Sequence, residues 1–220
     1  DAAHKKRAGI ATFDVWVDGQ LVHRIHGPHR RNPADAKWWG FLDMKEYKGK
    51  TAVLKMIPRG GMSPGIAKQI LSCFESSDTM KHVNPIYKES GRPQFHFSQI
   101  QGWNNDPNGM FYSDGLWHIS WQCNPLDKGF GGWYWGHAVS KDLIHWQELP
   151  RILRPLGGKD NSKVHPSMAS GLCFSGSGNV DHNNTLGLQK GDKKTLIACF
   201  TNTGTGECLA VSHDNGLTYK

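Results

Sequence analysis

Residues 138–146 read AVSKDLIHW, and residues 210–219 read AVSHDNGLTY. Ala138, Val139, Ser140 and Asp142 return as Ala210, Val211, Ser212 and Asp214, and an echo of this kind means a repeated unit. Around the first copy, MFYS (110–113), the turn signal Asp114-Gly115 and LWHISWQ (116–122) predict a hairpin. YWGHAVS (134–140) and IHWQEL (144–149) predict a second hairpin across Lys141-Asp142, completing a four-stranded antiparallel unit. Around the second copy, GLCFSGSGNV, TLIACFTN, ECLAVSHD and LTYK supply four strands in the same order. Four-stranded units repeated about a centre are propeller blades. These blades exceed the common repeat lengths because the loops between their strands are long.

Upstream of residue 95 the texture differs. FDVWV (13–17) alternates Phe13, Val15 and Val17 on one face, Asp18-Gly19 signals a turn, and LVHRI returns. WWGFLDM (38–44) and KTAVLKMI (50–57) read as a second pair, so residues 1–77 are expected to form a small accessory β-sandwich. RGGMSPG (59–65) interrupts the pattern, IAKQILSCF reads as a short helix, and residues 78–94 read as a linker. The fold class is therefore all-β: the accessory domain, then residues 95–220 as the first blade and most of a second.

Composition excludes several functions. With 37% apolar and 20% charged residues over 220 positions, the chain is that of a soluble globular protein, and no run approaches a membrane span. The net charge of +7 is spread along the sequence, which argues against a nucleic-acid partner. Five cysteines without CxxC spacing argue against a zinc site or a disulfide framework, so buried free thiols are expected. His23, His26 and His29 lie close in sequence, but on a hairpin and loop they point apart, and neither a metal nor a cofactor is expected.

The octet GWNNDPNG (102–109) precedes the first predicted strand and is expected as a loop that brings the chain to the mouth of a central channel. Pro107 restricts Asp106 to an extended conformation, and Asn108-Gly109 tolerates a tight turn, so backbone geometry aims the Asp106 side chain. A plain turn would use Asp106 and Asn108 only to bind their own main chain. The company argues for more, because Trp103, Trp117, Trp121, Trp133, Trp135 and Trp146 crowd the same region. Several of these must be core, yet indole faces for the C–H side of a sugar ring, with amides and a carboxylate for its hydroxyls, are carbohydrate-binding chemistry.

The run FHFSQIQGWNNDPNGMFYSDGLWHISWQCNP, then WGHAVSKDLIHWQELP, then FSGS at 174–177 resembles the amino-terminal part of the catalytic domain of glycoside hydrolase family 32. That family includes invertases, inulinases, levanases and fructan β-fructosidases. The resemblance covers residues 92–220, and it implies a five-bladed propeller with its site in the central cavity. It implies Asp106 as nucleophile, Asn105 and Gln122 as ligands of the fructosyl unit, Phe174 and Ser175 as substrate contacts, and Trp103 lining the pocket. Asn104 replaces the family's methionine, Cys123 its tyrosine, and Phe130 the tryptophan eight residues after the glutamine, so Phe130 is expected among the substrate-binding residues while the leaving-group side departs from the family's pattern.

The reaction implied is retaining hydrolysis of β-fructosidic bonds in levan, inulin or sucrose, by two carboxylates roughly 5 Å apart. The Arg-Asp-Pro motif that carries another of the family's acids is missing from the sequence, and Glu207-Cys208 falls by the internal echo on a third strand, a structural position. The chain is thus expected to be a truncated, inactive portion of a secreted or periplasmic enzyme whose acid/base glutamate lies outside it. A fructosyltransferase would use the same residues, and a non-catalytic fructan-binding module would use Asp106 as a hydroxyl ligand.

Overall fold

A computed structural model describes residues 11–26, 39–58, 63–80, 87–126, 133–155, 171–203 and 205–220. Its strands are β1 (Ala11–Val17), β2 (Gln20–His26), β3 (Ala52–Pro58), β4 (Trp103–Ser113), β5 (Leu116–Asn124), β6 (Tyr134–Ser140), β7 (Trp146–Leu153), β8 (Cys173–Asp181), β9 (Thr195–Asn202) and β10 (Gly206–Ser212). Among the described residues there is one α-helix, α1 (Pro64–Leu71), and a 3-10 turn at Lys45–Tyr47. The strands form three antiparallel sheets, ordered β2-β1-β3, β4-β5-β6-β7 and β10-β9-β8. No described helix is long and apolar enough to cross a membrane.

The first sheet begins with the expected hairpin. Asp18 and Gly19 both take positive φ (50° and 76°), the turn whose twist suits a two-residue connection. Helix α1 starts where Ser63 accepts a hydrogen bond from Ile66 N and Pro64 occupies the first turn, where a missing N–H costs nothing. It packs Ile66 and Ile70 onto Ala11 and Phe13, with Phe74 tilted over Phe13 at 4.5 Å between ring centroids.

The expected sandwich is not what the described residues of this region form, since one three-stranded sheet is covered by α1 and by an irregular segment. Residues 39–44 of the predicted strand WWGFLDM make no ladder. Leu42 and Met44 instead pack on Val15, Val17 and Val22, so their apolar character serves side-chain cover rather than strand pairing. Gly40 sits tightly against Leu126, carrying this segment from the first sheet to the second.

The second sheet is the meander read from the sequence, with β6 at the predicted residues. β7 begins two residues later than predicted because the Asp142 carboxylate holds Ile144 N and His145 N in a turn (2.9 and 2.7 Å). In the third sheet β9 also coincides with its prediction. The predicted strand LTYK appears only as a reciprocal backbone pair between Val211 and Lys220 (2.9 and 3.0 Å).

The sequence echo is an echo of turn chemistry. Ser140 Oγ accepts from Leu143 N (2.8 Å), and Ser212 Oγ accepts from Gly216 N (2.9 Å). Asp142 then caps the chain ahead, as Asp214 does through Thr218 N (2.9 Å). Ala138 and Ala210 stand opposite Ile119 and Ala198 on the preceding strands, and both alanines are buried.

The second and third sheets bury a common core. Trp135, Ile152 and Leu153 from the second meet Cys173, Ala198, Phe200 and Ala210 from the third, with Trp135 edge-on to Phe200 at 6.0 Å. Each fully buried large side chain contributes about 1.5–3 kcal/mol. All five cysteines are free thiols, but only Cys123 and Cys173 are buried, and burial pushes both up to about 12. Cys199 and Cys208 keep some exposure, because a cysteine in a sheet is covered only if a second layer lies on its face, and Cys73 keeps some in the turn that follows α1.

Residues 87–101 strap the second sheet. Arg92 binds Glu89 and the carbonyls of Gln99 and Ile100, and lies 4.7 Å from the Tyr87 ring centroid. Tyr87 Oη donates to Glu148 Oε1 on β7 (3.1 Å), which also accepts from Ile100 N. Phe97 packs against Trp121 and Trp146 at 4.5 and 5.8 Å.

Two histidines meet inside the first blade, His118 Nδ1 to His137 Nε2 at 3.0 Å, with Phe111 stacked on His118. Burial, aided by the neighbouring His118, pushes His137 down to about 3, and burial also lowers His118. His23, stacked on Tyr134, is pushed down to about 4 by burial and then by Arg154. An unfolded chain takes up these protons below about pH 6.5, whereas the folded chain does not. Stability is therefore full above pH 6.5 and lost as pH falls toward 3–4. Thermal melts between pH 7 and 4 should show Tm falling steadily, and a Tm that is flat across this range would contradict the buried neutral pair.

Candidate active site

The octet is not a loop. Trp103–Ser113 is one strand whose ladder to β5 slips twice, between Asn104 and Pro107 and between Pro107 and Met110. Pro107 has no N–H to give, so its pairing with Trp121 stands alone between the two slips. β4 lies at the edge of its sheet, where proline is tolerated. The punctuation that reads as a loop in sequence thus builds a bulged edge strand.

β4 meets β8 of the third sheet backbone to backbone. Gly109 has φ 114°, and a Cβ there would collide with Gly178 N. A Cβ on Gly178 would stand 2.9 Å from the Phe111 ring. Only paired glycines permit this approach.

The approach brings Asp106 and Ser175 together. Ser175 Oγ donates to Asp106 Oδ2 at 2.6 Å, a short charge-assisted bond between residues of different sheets. The carboxylate is therefore held by a neighbouring sheet and not by its own turn. Asn104, Asn105, Asp106 and Ser175 are all exposed.

The remaining expected residues divide. Gln122, on β5, is buried; its Nε2 donates to Cys173 O (2.7 Å), and its Oε1 has no hydrogen-bond partner among the described residues. Phe174, half-buried on β8, meets Trp133 edge-on at 5.5 Å. Trp103 opens β4 opposite Asn124 and is half-buried. Phe130 lies outside the described residues. Glu207 accepts from Thr201 Oγ1 with both oxygens (2.8 and 3.0 Å) across the β9–β10 pair, a structural engagement.

Sequence reasoning missed two neighbours of the site. Asn108 is wholly buried although it reads as a turn residue, and Trp135 is one of several clustered tryptophans with nothing in the sequence to single it out. With its amide oxygen turned toward the available donors, Asn108 accepts from Gln122 N (3.2 Å) and Trp135 Nε1 (3.0 Å).

This all-β arrangement has relatives among the glycosidases. Residues 96–220 match the family model for the glycosyl hydrolases family 32 N-terminal domain. The chain is 42% identical over 136 residues to a levanase of Bacillus subtilis (strain 168), a match spanning 60% of this chain and 18% of that protein. It is 41% identical over 150 residues to the extracellular exo-inulinase of Aspergillus awamori, spanning 60% of this chain and 26% of that one. Among solved structures, an exo-inulinase from Aspergillus awamori aligns with a TM-score of 0.51 at 35% identity, covering 61% of this chain and 28% of its own. A fructofuranosidase from Schwanniomyces occidentalis complexed with fructose aligns at 0.50 and 35%, covering 62% and 26%. The chain belongs to glycosyl hydrolase family 32, and it spans between about a fifth and somewhat over a quarter of these relatives' lengths.

Proposed function

We propose that the protein carrying this chain hydrolyses β-fructosidic bonds in fructans or sucrose by a retaining mechanism with Asp106 as nucleophile. The observation that carries this reading is the 2.6 Å bond from Ser175 Oγ to Asp106 Oδ2 across two blades. A carboxylate fixed in direction by a donor from another sheet, and exposed, is presented to a ligand and not consumed by a turn. One oxygen is held by Ser175, leaving the other to attack the anomeric carbon. A carboxylic acid elsewhere protonates the departing oxygen, and water then resolves the fructosyl-enzyme.

In this reading the two described blades belong to a five-bladed propeller, Asp106 faces its central cavity, and the first sheet is an accessory domain. Trp103, Asn105, Gln122, Phe130, Phe174 and Ser175 surround the fructosyl unit. The acid/base glutamate comes from sequence outside these 220 residues, since Glu207 is engaged with Thr201. The chain by itself then turns over no fructan, and the full-length enzyme acts outside the cytoplasm, where polymeric fructans are found. The relatives named a levanase and an extracellular exo-inulinase support both the substrate class and the location.

The test is release of free fructose from levan, inulin and sucrose by the full-length protein and by the 220-residue chain. Turnover by the first and none by the second is expected. Turnover by the short chain, or none by the long one on any of the three, sinks the assignment.

A further inference from the structure

We propose that Asn108 and Trp135 are positioning residues that set the direction of the Asp106 carboxylate, an inference that rests on Asp106 being the nucleophile. Both residues facing each other at the blade junction sit where their own ladders fail. β4 loses register from Asn104 to Pro107 and again to Met110, and β8 loses register between Cys173 and Gly176. Neither Asp106 nor Ser175 is therefore placed by pairing with the next strand of its own sheet. Something else must hold both segments to a fraction of an ångström.

That holding is done by buried polar groups. Trp135 Nε1 lies 3.0 Å from Phe174 O and, with the Asn108 amide turned toward it, 3.0 Å from the Asn108 oxygen, a shared donor between the two blades. Gln122 N donates to the same Asn108 oxygen, and Gln122 Nε2 donates to Cys173 O (2.7 Å). Asn108 lies two residues from Asp106, and Phe174 is bonded directly to Ser175. The result is a closed ring: Asp106 runs through the backbone to Asn108, across Trp135 Nε1 to Phe174, along to Ser175, and back through the 2.6 Å bond to Asp106. Asn108 and Trp135 are both 0% exposed, so these bonds form out of water, where an unpaired partner is costly. Neither side chain is placed to touch substrate, and their effect passes through the Asp106–Ser175 pair.

The test uses the full-length enzyme and a double-mutant cycle. Trp135→Phe removes Nε1 and keeps most of the ring, while Asn108→Leu removes the acceptor at similar size. Each is expected to lower kcat by about 10- to 100-fold, the cost of displacing a reacting group by roughly an ångström, with KM changed by less than about threefold. Ser175→Ala cuts the ring at its last bond. In that background Trp135→Phe should cost less than about threefold more, because the pathway is already broken. A Trp135→Phe loss as large in the Ser175→Ala enzyme as in the wild type, or no loss in kcat at all, overturns the inference. If one variant fails to fold, judged by its thermal melt, the other carries the same cycle. Asp106→Asn is run alongside: turnover surviving that change removes the nucleophile assignment itself, a failure separate from any result of the cycle.

Discussion

Asp106→Asn in the full-length enzyme is expected to lower kcat by on the order of 10^4-fold or more, with Tm almost unchanged. The amide is the same size as the carboxylate, and its oxygen still accepts from Ser175 Oγ, so the contact across the blades survives. The side chain is exposed and removes no packing, which keeps the stability change within about 0.5 kcal/mol. What is lost, on the proposed mechanism, is the charge that would form the covalent fructosyl ester. Single-turnover measurement of fructose release against sucrose, with a melt of each protein, separates the two quantities. A variant that keeps more than a tenth of wild-type kcat would show that Asp106 only binds.

The second large effect is structural. Gly109→Val should cost more than about 4 kcal/mol, a large share of the total stability of a domain this size. Two penalties coincide there: a φ of 114° that branched residues avoid, and a Cβ that would meet the Gly178 backbone. Backbone cannot swing aside as a side-chain end can, so β4 and β8 must separate and carry Asp106 away from Ser175. Gly115→Ala is the control. Gly115 also has positive φ (80°), but open space surrounds it, so the cost should be limited to about 1–2 kcal/mol of backbone strain. Urea unfolding of both variants reads the difference directly, and equal costs would mean that the close approach of the blades is not what requires Gly109.

How far the fold can be read from the sequence varies by element. The Asp-Gly turns specify hairpins locally, which is why β2 and β5 follow directly after them as the pattern puts them, and the apolar runs of β6 and β9 are strong enough to mark those strands without such a turn. The echo of Ala-Val-Ser-x-Asp was legible because the same Ser and Asp oxygens cap the same kind of turn twice. The segment at 39–44 was misread because an apolar run does not reveal whether its backbone or only its side chains are spent on the core. The octet was misread for a related reason: Pro107 and Gly109 mark a loop by local rules, but an edge strand facing another blade tolerates both. Asp106 and Ser175 could each be singled out, yet their pairing is a tertiary fact. The bond that joins them depends on glycines and buried amides whose partners lie dozens of residues away.

The strap of residues 87–101 has a mechanical meaning. It is riveted at Arg92 and at Glu148 just before the chain enters β4, and Glu148 belongs to the outermost strand of that blade. A tug along the chain from upstream of residue 87 is therefore taken up first by β7, at the edge of the sheet opposite the bulged strand that carries Asp106.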